Sequence, residues 1–237
     1  MGKRIYLSSS ISAGPSLTET DDNGNFKFGI NLTGTASLNF VTSKKNVLSL
    51  NYKRYSANAT IYNYEIDTWG IDEEYDRIGN YRINSQELGL AIKFFQKNLD
   101  APLGVYISWG IGFAVTQLET SFNALSITTD GWGQPLAYDL YRFDNSIIMY
   151  SPLLRFGLGK QTIFGKRFFY NYGLDLSFNF AGAKSIADEL SYTFIFAEND
   201  EHMSQEDFEK FTKMGVQKRL FFNQLINFRM GIGVLLF

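Results

Sequence analysis

From Phe26 to Phe40 an apolar or small residue occupies every even position, and a polar residue or glycine every odd one, without a break. Phe26, Phe28, Ile30, Leu32, Gly34, Ala36, Leu38 and Phe40 share one face; Lys27, Asn31, Thr33, Thr35, Ser37 and Asn39 share the other. Period two is the signature of a β-strand, and faces of unlike polarity mean a sheet standing between two environments. The run is also long. An ordinary strand has roughly 5 to 6 residues, whereas a strand crossing a bilayer needs roughly 9 to 11. At a tilt of about 40° it rises roughly 38 Å, more than the roughly 25 Å apolar band of an outer-membrane barrel.

The pattern recurs about eight times. The first strand is Ile5 to Ala13, and the third begins at Val47 with Leu48, Leu50 and Tyr52 on its apolar face. There Arg54 falls on the apolar side while Tyr55, Ala57, Ala59 and Ile61 continue on the other, which predicts a bulge near Arg54. The fourth carries Leu88, Leu90, Ile92 and Phe94, the fifth runs from Leu103 through Trp109 to Val115, and the sixth from Ile148 to Leu158. The seventh spans Phe168 to Phe180 and the eighth about Lys218 to Leu236. Connections after the second, fourth and sixth strands are short. Those after the first, third, fifth and seventh span about Pro15 to Asn25, Ser56 to Tyr81, Leu118 to Asn145 and Ala181 to Gln217. Short turns at one rim and long loops at the other predict an all-β, eight-stranded antiparallel up-and-down transmembrane barrel, one domain over residues 1–237. Ser204, with Asp207 three residues on and Phe208 and Phe211 following, predicts one short loop helix.

Alternation alone fits a soluble barrel around a greasy ligand equally well. Three features put the apolar face outside instead. The polar face is built of Gly, Ser, Asn and Thr with sparse charge, which packs a narrow lumen better than it faces water. Aromatics gather near strand ends, at Phe26, Phe28, Phe40, Phe94, Phe168, Tyr170, Phe178 and Phe180, as two interfacial girdles would require. Strand length is the third. Composition agrees: aromatics are 16%, Pro is scarce, and no apolar run approaches the roughly 18 residues of a spanning helix. Met1, Gly2, Lys3 and Arg4 lead straight into a strand without an apolar signal core, as in a mature chain that has lost its export signal.

The net charge of −2 conceals a segregation. The four long connections hold 21 of the 24 acids against 5 bases, a net of −16; everything else holds 3 acids and 17 bases, a net of +14. Asp72, Glu73, Glu74 and Asp76, and Glu198, Asp200 and Glu201, are the densest acidic clusters. They are candidate contacts for divalent cations or a basic partner, although neither has the EF-hand spacing. Inside the predicted barrel the ionisable residues nearest mid-depth are Glu87, Arg155, Asp175 and Arg229, which balance to zero. Pairing the sixth and seventh strands across their turn sets Arg155 near Asp175. An unpaired ion in a narrow lumen is costly, so a mutual network that plugs the barrel is expected.

Catalytic chemistry finds little footing. The one histidine, His202, lies in the most acidic loop with only Ser204 as a nearby hydroxyl, whereas a general base must reach its nucleophile. With no Cys and one His, no metal site or other cofactor is expected. The glycines alternate within strands and form no phosphate loop, and acidic loops disfavour nucleic acid.

With its strands placed, the chain resembles the small eight-stranded outer-membrane barrels of the OmpA transmembrane-domain and OmpX type, and the porin-like barrels of Bacteroidota. Gly157, Leu158, Gly159, Lys160 and Gln161, followed by Gly165, Lys166, Arg167, Phe168 and Phe169, look like the last periplasmic turn of that group. Phe237 matches the aromatic end of the assembly signal, though on the face opposite Met230, Ile232, Val234 and Leu236. The resemblance implies an integral outer-membrane barrel, loops extracellular, contacting outer-membrane lipid and lipopolysaccharide and, during assembly, the insertion machinery. The expected function is non-enzymatic: a filled barrel acting structurally or as an accessory subunit of a larger outer-membrane complex. The alternatives are a lipid-modifying outer-membrane enzyme, a narrow pore and a soluble lipocalin-like carrier.

Overall fold

The computed structural model describes residues 5–20, 26–61, 64–68, 71–96, 101–129, 135–143, 146–185, 213, 216–217 and 220–236. Ten strands form one antiparallel sheet: β1 (Ile5–Thr20), β2 (Phe26–Val41), β3 (Asn46–Ile61), β4 (Tyr64–Thr68), β5 (Ile71–Phe95), β6 (Gly104–Thr129), β7 (Pro135–Phe143), β8 (Ile147–Phe164), β9 (Phe168–Asn179) and β10 (Ile226–Leu235). Eight of them close a barrel. The order β5–β3–β2–β1–β10–β9–β8–β6 returns on itself through the β5–β6 pairing, so no barrel strand is left with an open edge. β4 and β7 belong to the rim instead, flanking the outer halves of β5 and β6 in a four-stranded extension ordered β4–β5–β6–β7.

The polar face lines the interior. Ile30 and Met230 are 78% and 74% exposed, while Asn39 and Asn227 are 0% and 1% exposed. Leu32, Leu90, Trp109, Ile111, Phe113, Phe228 and Ile232 likewise point away from the barrel. A soluble carrier would invert this arrangement. Rings cluster on the outer surface: Phe164 stacks on Tyr170 at 4.0 Å and on Phe168 at 5.8 Å beside the β8–β9 turn, and Phe113 stacks on Tyr150 at 5.9 Å. Phe40, Phe94, Phe178 and Phe180 are also outward; the side chains of Phe26 and Phe28 lie outside the described set. The β8–β9 turn closes in three residues, with Gly165 at φ +70°, a conformation that L side chains rarely adopt.

Several expected boundaries move. β1 reaches Thr20 and β2 starts at Phe26, so the first connection is only 21–25 and not a long loop. Much of the expected loop sequence after the third and fifth strands is instead paired strand, with Glu73↔Thr128 still in register far from Phe95↔Tyr106. No bulge occurs at Arg54: β3 keeps register with β2 and β5 through Gly34↔Arg54↔Gln86. Tyr55 points inward because its hydroxyl finds Asn31 Oδ1 at 3.2 Å, so an aromatic on the polar face is a luminal partner and no slip is needed. The last strand begins at Ile226, and residues 220–225 are helical. A second helical segment, 180–185, follows β9 directly, where Asn179 Oδ1 accepts from Gly182 N at 3.1 Å and caps its start. The helix expected around Ser204 lies outside the described residues, as does Phe237.

If the outward face meets lipid, a charge placed at mid-belt must be costly. Ile111, 64% exposed and centred on the β6 segment that pairs with β8, is the test position. Ile111→Arg is expected to destabilise the barrel in lipid vesicles by about 2–4 kcal/mol, read by urea unfolding. Unchanged stability would place this face in water.

Candidate functional site

The lumen is the one region where ionisable side chains converge among the described residues, and it is filled in three levels. At the short-turn end Tyr6, Val47, Phe95, Tyr106, Phe169 and Leu235 form a buried apolar layer, with Tyr6 edge-on to Phe169 at 5.2 Å. Large rings bridge a narrow cylinder, and an eight-stranded barrel has an interior that side chains can fill. Lys93 enters this layer from β5. Its Nζ donates to Asn39 Oδ1 at 2.9 Å and lies 5.6 and 5.4 Å from the rings of Tyr6 and Tyr106. Asn39 also accepts from Ser49 Oγ at 2.6 Å and donates to Ser8 Oγ at 3.2 Å, which fixes the acceptor beneath the ammonium.

Mid-depth holds the charges. Arg229 Nη1 donates to Asp175 Oδ2 at 2.8 Å, and its Nη2 to the Tyr106 hydroxyl at 2.6 Å, which in turn donates to Asn171 Oδ1 at 2.9 Å. Arg155 pairs with Glu87, not with the expected Asp175. The register gives the reason: Arg155 is opposite Gly110 and Glu87 opposite Ala114, so β6 runs between them and presents only small residues there. A Cβ at Gly112 would stand 2.5 Å from Glu87 Oε1, and one at Gly157 would stand 2.7 Å from Asp175 Oδ1. Glycine at these two positions makes room for the carboxylates.

The expected balance of four charges is incomplete. Lys53 and Lys93 are 6% and 5% exposed and face the same lumen. Both lie on the polar face of their strands in the sequence, so the alternation already marked them as inward. Lys53 stands opposite Glu87 in the β3–β5 register, yet Glu87 turns to Arg155.

The long-loop end is closed by the chain itself. Asn31 Nδ2 donates to the carbonyl of Asn223 at 3.5 Å, and Asn223 Nδ2 to the Tyr55 hydroxyl at 3.4 Å, drawing helical residues 220–225 into the mouth. Leu220 and Val216 are buried, as are the inward-facing Ile83, Leu118, Met149 and Leu153 of the upper wall. Segment 180–185 braces this plug, with Ser185 Oγ 2.5 Å from Gln217 Oε1.

Of the acidic cluster, Asp72, Glu73, Glu74 and Asp76 lie on the outer half of β5, where the register sets Asp67 against Asp72 and Glu65 against Glu74. Glu198, Asp200, Glu201 and His202 lie outside the described residues. No group of three His, Cys, Asp or Glu able to hold a metal occurs among the described residues.

Breaking one luminal pair leaves its partner buried and uncompensated. Glu87→Gln is expected to cost about 3–5 kcal/mol in urea unfolding, and the double variant Glu87→Gln with Arg155→Met to recover most of it, because removing both charges also removes their desolvation. Equal losses in the single and double variants would mean that the pair does not act as a unit.

No family model matches the chain, and no curated protein does. Among solved structures it is similar to the N-terminal β-barrel domain of Pseudomonas aeruginosa OprF, at 11% identity over 99% of this chain and 98% of that one, with a TM-score of 0.40. Ail, the attachment invasion locus protein of Yersinia pestis, solved with the heparin analogue sucrose octasulfate, gives 9% identity, 99% coverage of both chains and a TM-score of 0.42. The translocator domain of the autotransporter NalP from Neisseria meningitidis gives 10% identity over 99% of this chain and 88% of that one, with a TM-score of 0.34. Likeness at this level carries no argument about what this chain binds. The architecture rests on the chain's own register: a closed antiparallel barrel of eight strands, apolar outside and charged and polar within.

Proposed function

We propose that this protein is a non-enzymatic barrel of the outer membrane, closed to solutes, which serves as a structural or accessory subunit of an outer-membrane assembly. The observation that carries the reading is the filling of the lumen from rim to rim: an aromatic layer, a mid-depth ion-pair network and a helical plug occupy the space a pore would need. The exposed apolar belt supports a lipid environment, and a barrel whose backbone groups are paired around the ring is one of the two structures able to span it. Lipid and lipopolysaccharide would then be its lateral neighbours, and the insertion machinery its partner during assembly.

The long-loop rim, on the cell exterior in this reading, is where a partner would bind. Like charges opposed across strands are destabilising, and the β4–β5 hairpin carries two such pairs, Asp67↔Asp72 and Glu65↔Glu74. A cationic partner, or divalent ions bridging to anionic headgroups, would relieve that repulsion and would be steered by the acidic rim.

Planar-bilayer recordings of the refolded protein are expected to show no steady conductance; a large stable channel would overturn the closed-barrel reading. For the partner, complexes recovered in mild detergent should dissociate as salt rises, since exposed charges are screened beyond roughly 8 Å at physiological ionic strength. The variant carrying Asp72→Asn, Glu73→Gln, Glu74→Gln and Asp76→Asn should lose them at low salt. Unchanged recovery would reduce the acidic rim to ordinary solvated surface.

A further inference from the structure

The barrel interior carries more positive charge than its carboxylates neutralise. Lys53, Lys93, Arg155 and Arg229 face only Glu87 and Asp175 among the described residues, and each carboxylate is engaged by an arginine. Lys93 has its own arrangement of Asn39 and two aromatic faces. Lys53 is 6% exposed and has neither a hydrogen bond nor an ion pair among the described residues. An ammonium so placed, in a wall surrounded by lipid, is costly without a counter-charge.

Lys53 borders a luminal cavity whose space open to the centres of water molecules is about 50 Å³. Arg155, Arg229, Asp175, Ser12 and Ser177 share its wall. One water needs about 10–15 Å³ by this measure, so the space suits a halide with part of a hydration shell and excludes large organic ligands. The wall is rich in donors. Arg155 Nε, Arg229 Nε and Ser177 Oγ are buried without a hydrogen-bond partner, and Lys and Arg have no acceptor to offer. The one carboxylate at the wall, Asp175, already accepts from Arg229. A cation would meet like charge here, whereas an anion would meet donors and a formal excess of two positive charges.

We propose that the lumen binds a small inorganic monoanion of halide size, seated at Lys53 with the Arg155 and Arg229 guanidiniums beside it. The proposal rests on the closed lumen argued above. The apolar layer lies toward the short-turn end and the plug at 220–225 toward the other, and the anion between them serves as a structural counterion.

The test uses the full chain refolded in non-ionic detergent in chloride or in gluconate, which is too bulky for the cavity, at equal ionic strength. The wild type is expected to unfold at higher temperature in chloride, and crystals grown in bromide to show an anomalous peak beside Lys53. Lys53→Met keeps length and volume without the charge. It should raise the chloride concentration for half-maximal stabilisation roughly tenfold or more. Equal wild-type stability in the two salts with no bromide peak would overturn the proposal and leave the lumen balanced without an anion. An undiminished chloride effect in Lys53→Met would overturn the assignment to this residue. Should that variant fail to fold, the wild-type bromide map decides alone. Conductance separates the two readings: a silent barrel without bromide loses only the anion site, while steady current removes the closed lumen as well.

Discussion

Closure of the sheet at eight strands is the constraint from which the rest follows. Pairing β10 back onto β1, from Tyr6↔Leu235 to Ala13↔Phe228, satisfies the backbone all the way round, which lipid demands of any sheet. The same closure sets a bore that side chains can span. Inward residues then find their partners on other walls of the cylinder as often as on their own strand's neighbours. This is why Tyr106 of β6 bonds Arg229 of β10 and Asn171 of β9, and why Glu87 of β5 reaches Arg155 of β8 over the glycines of β6. Small residues on one strand are the condition for ion pairs between its two neighbours.

The two faces contribute to stability differently. Outward residues such as Ile11, Ile30 and Phe228 need only be apolar, and exchange of one apolar side chain for another costs little there. Inward residues are specific, since removing one charged partner leaves the other buried, and their net gain over an apolar core is small. Specificity is what they supply: the network fixes which strand levels face each other, as the paired charges permit no slip by two residues.

The outer face was legible in the sequence because alternation reports polarity directly; Ile107, Trp109, Ile111, Phe113 and Val115 point outward as the pattern sets them, although their strand runs on to Thr129. The inner face was less legible, for physical reasons. Tyr55 resembled a register slip, since an aromatic on the polar face gives no sign of the Asn31 and Asn223 partners that draw it inward. A pair between neighbouring strands, such as Asp175 with Arg229, follows from the strand order, whereas a pair spanning an intervening glycine strand, such as Glu87 with Arg155, has no sequence signature. Residues 220–225 continued the apolar run of the last strand, and only the lumen beneath them accounts for a helix there. The extension of β5 and β6 was hidden because alternation fades in that stretch of the sequence while pairing continues.

In the proposed reading a barrel that fills its bore gives up transport, and what remains for it to act through is its apolar belt and its long-loop rim. The extension β4–β5–β6–β7 lifts paired strands beyond the barrel wall and leaves the outer edges of β4 and β7 without a strand neighbour among the described residues. Long open edges invite pairing with another chain, and charge on the edge is the usual protection. Under the proposed reading, the acids of Tyr64–Thr68 and of the outer half of β5 would act in two directions at once. They would discourage strand addition by an indifferent chain and favour the proposed partner, whose positive charge compensates them. A rim of this kind would select by electrostatics before shape, which is how a barrel with a filled bore can still present a specific surface.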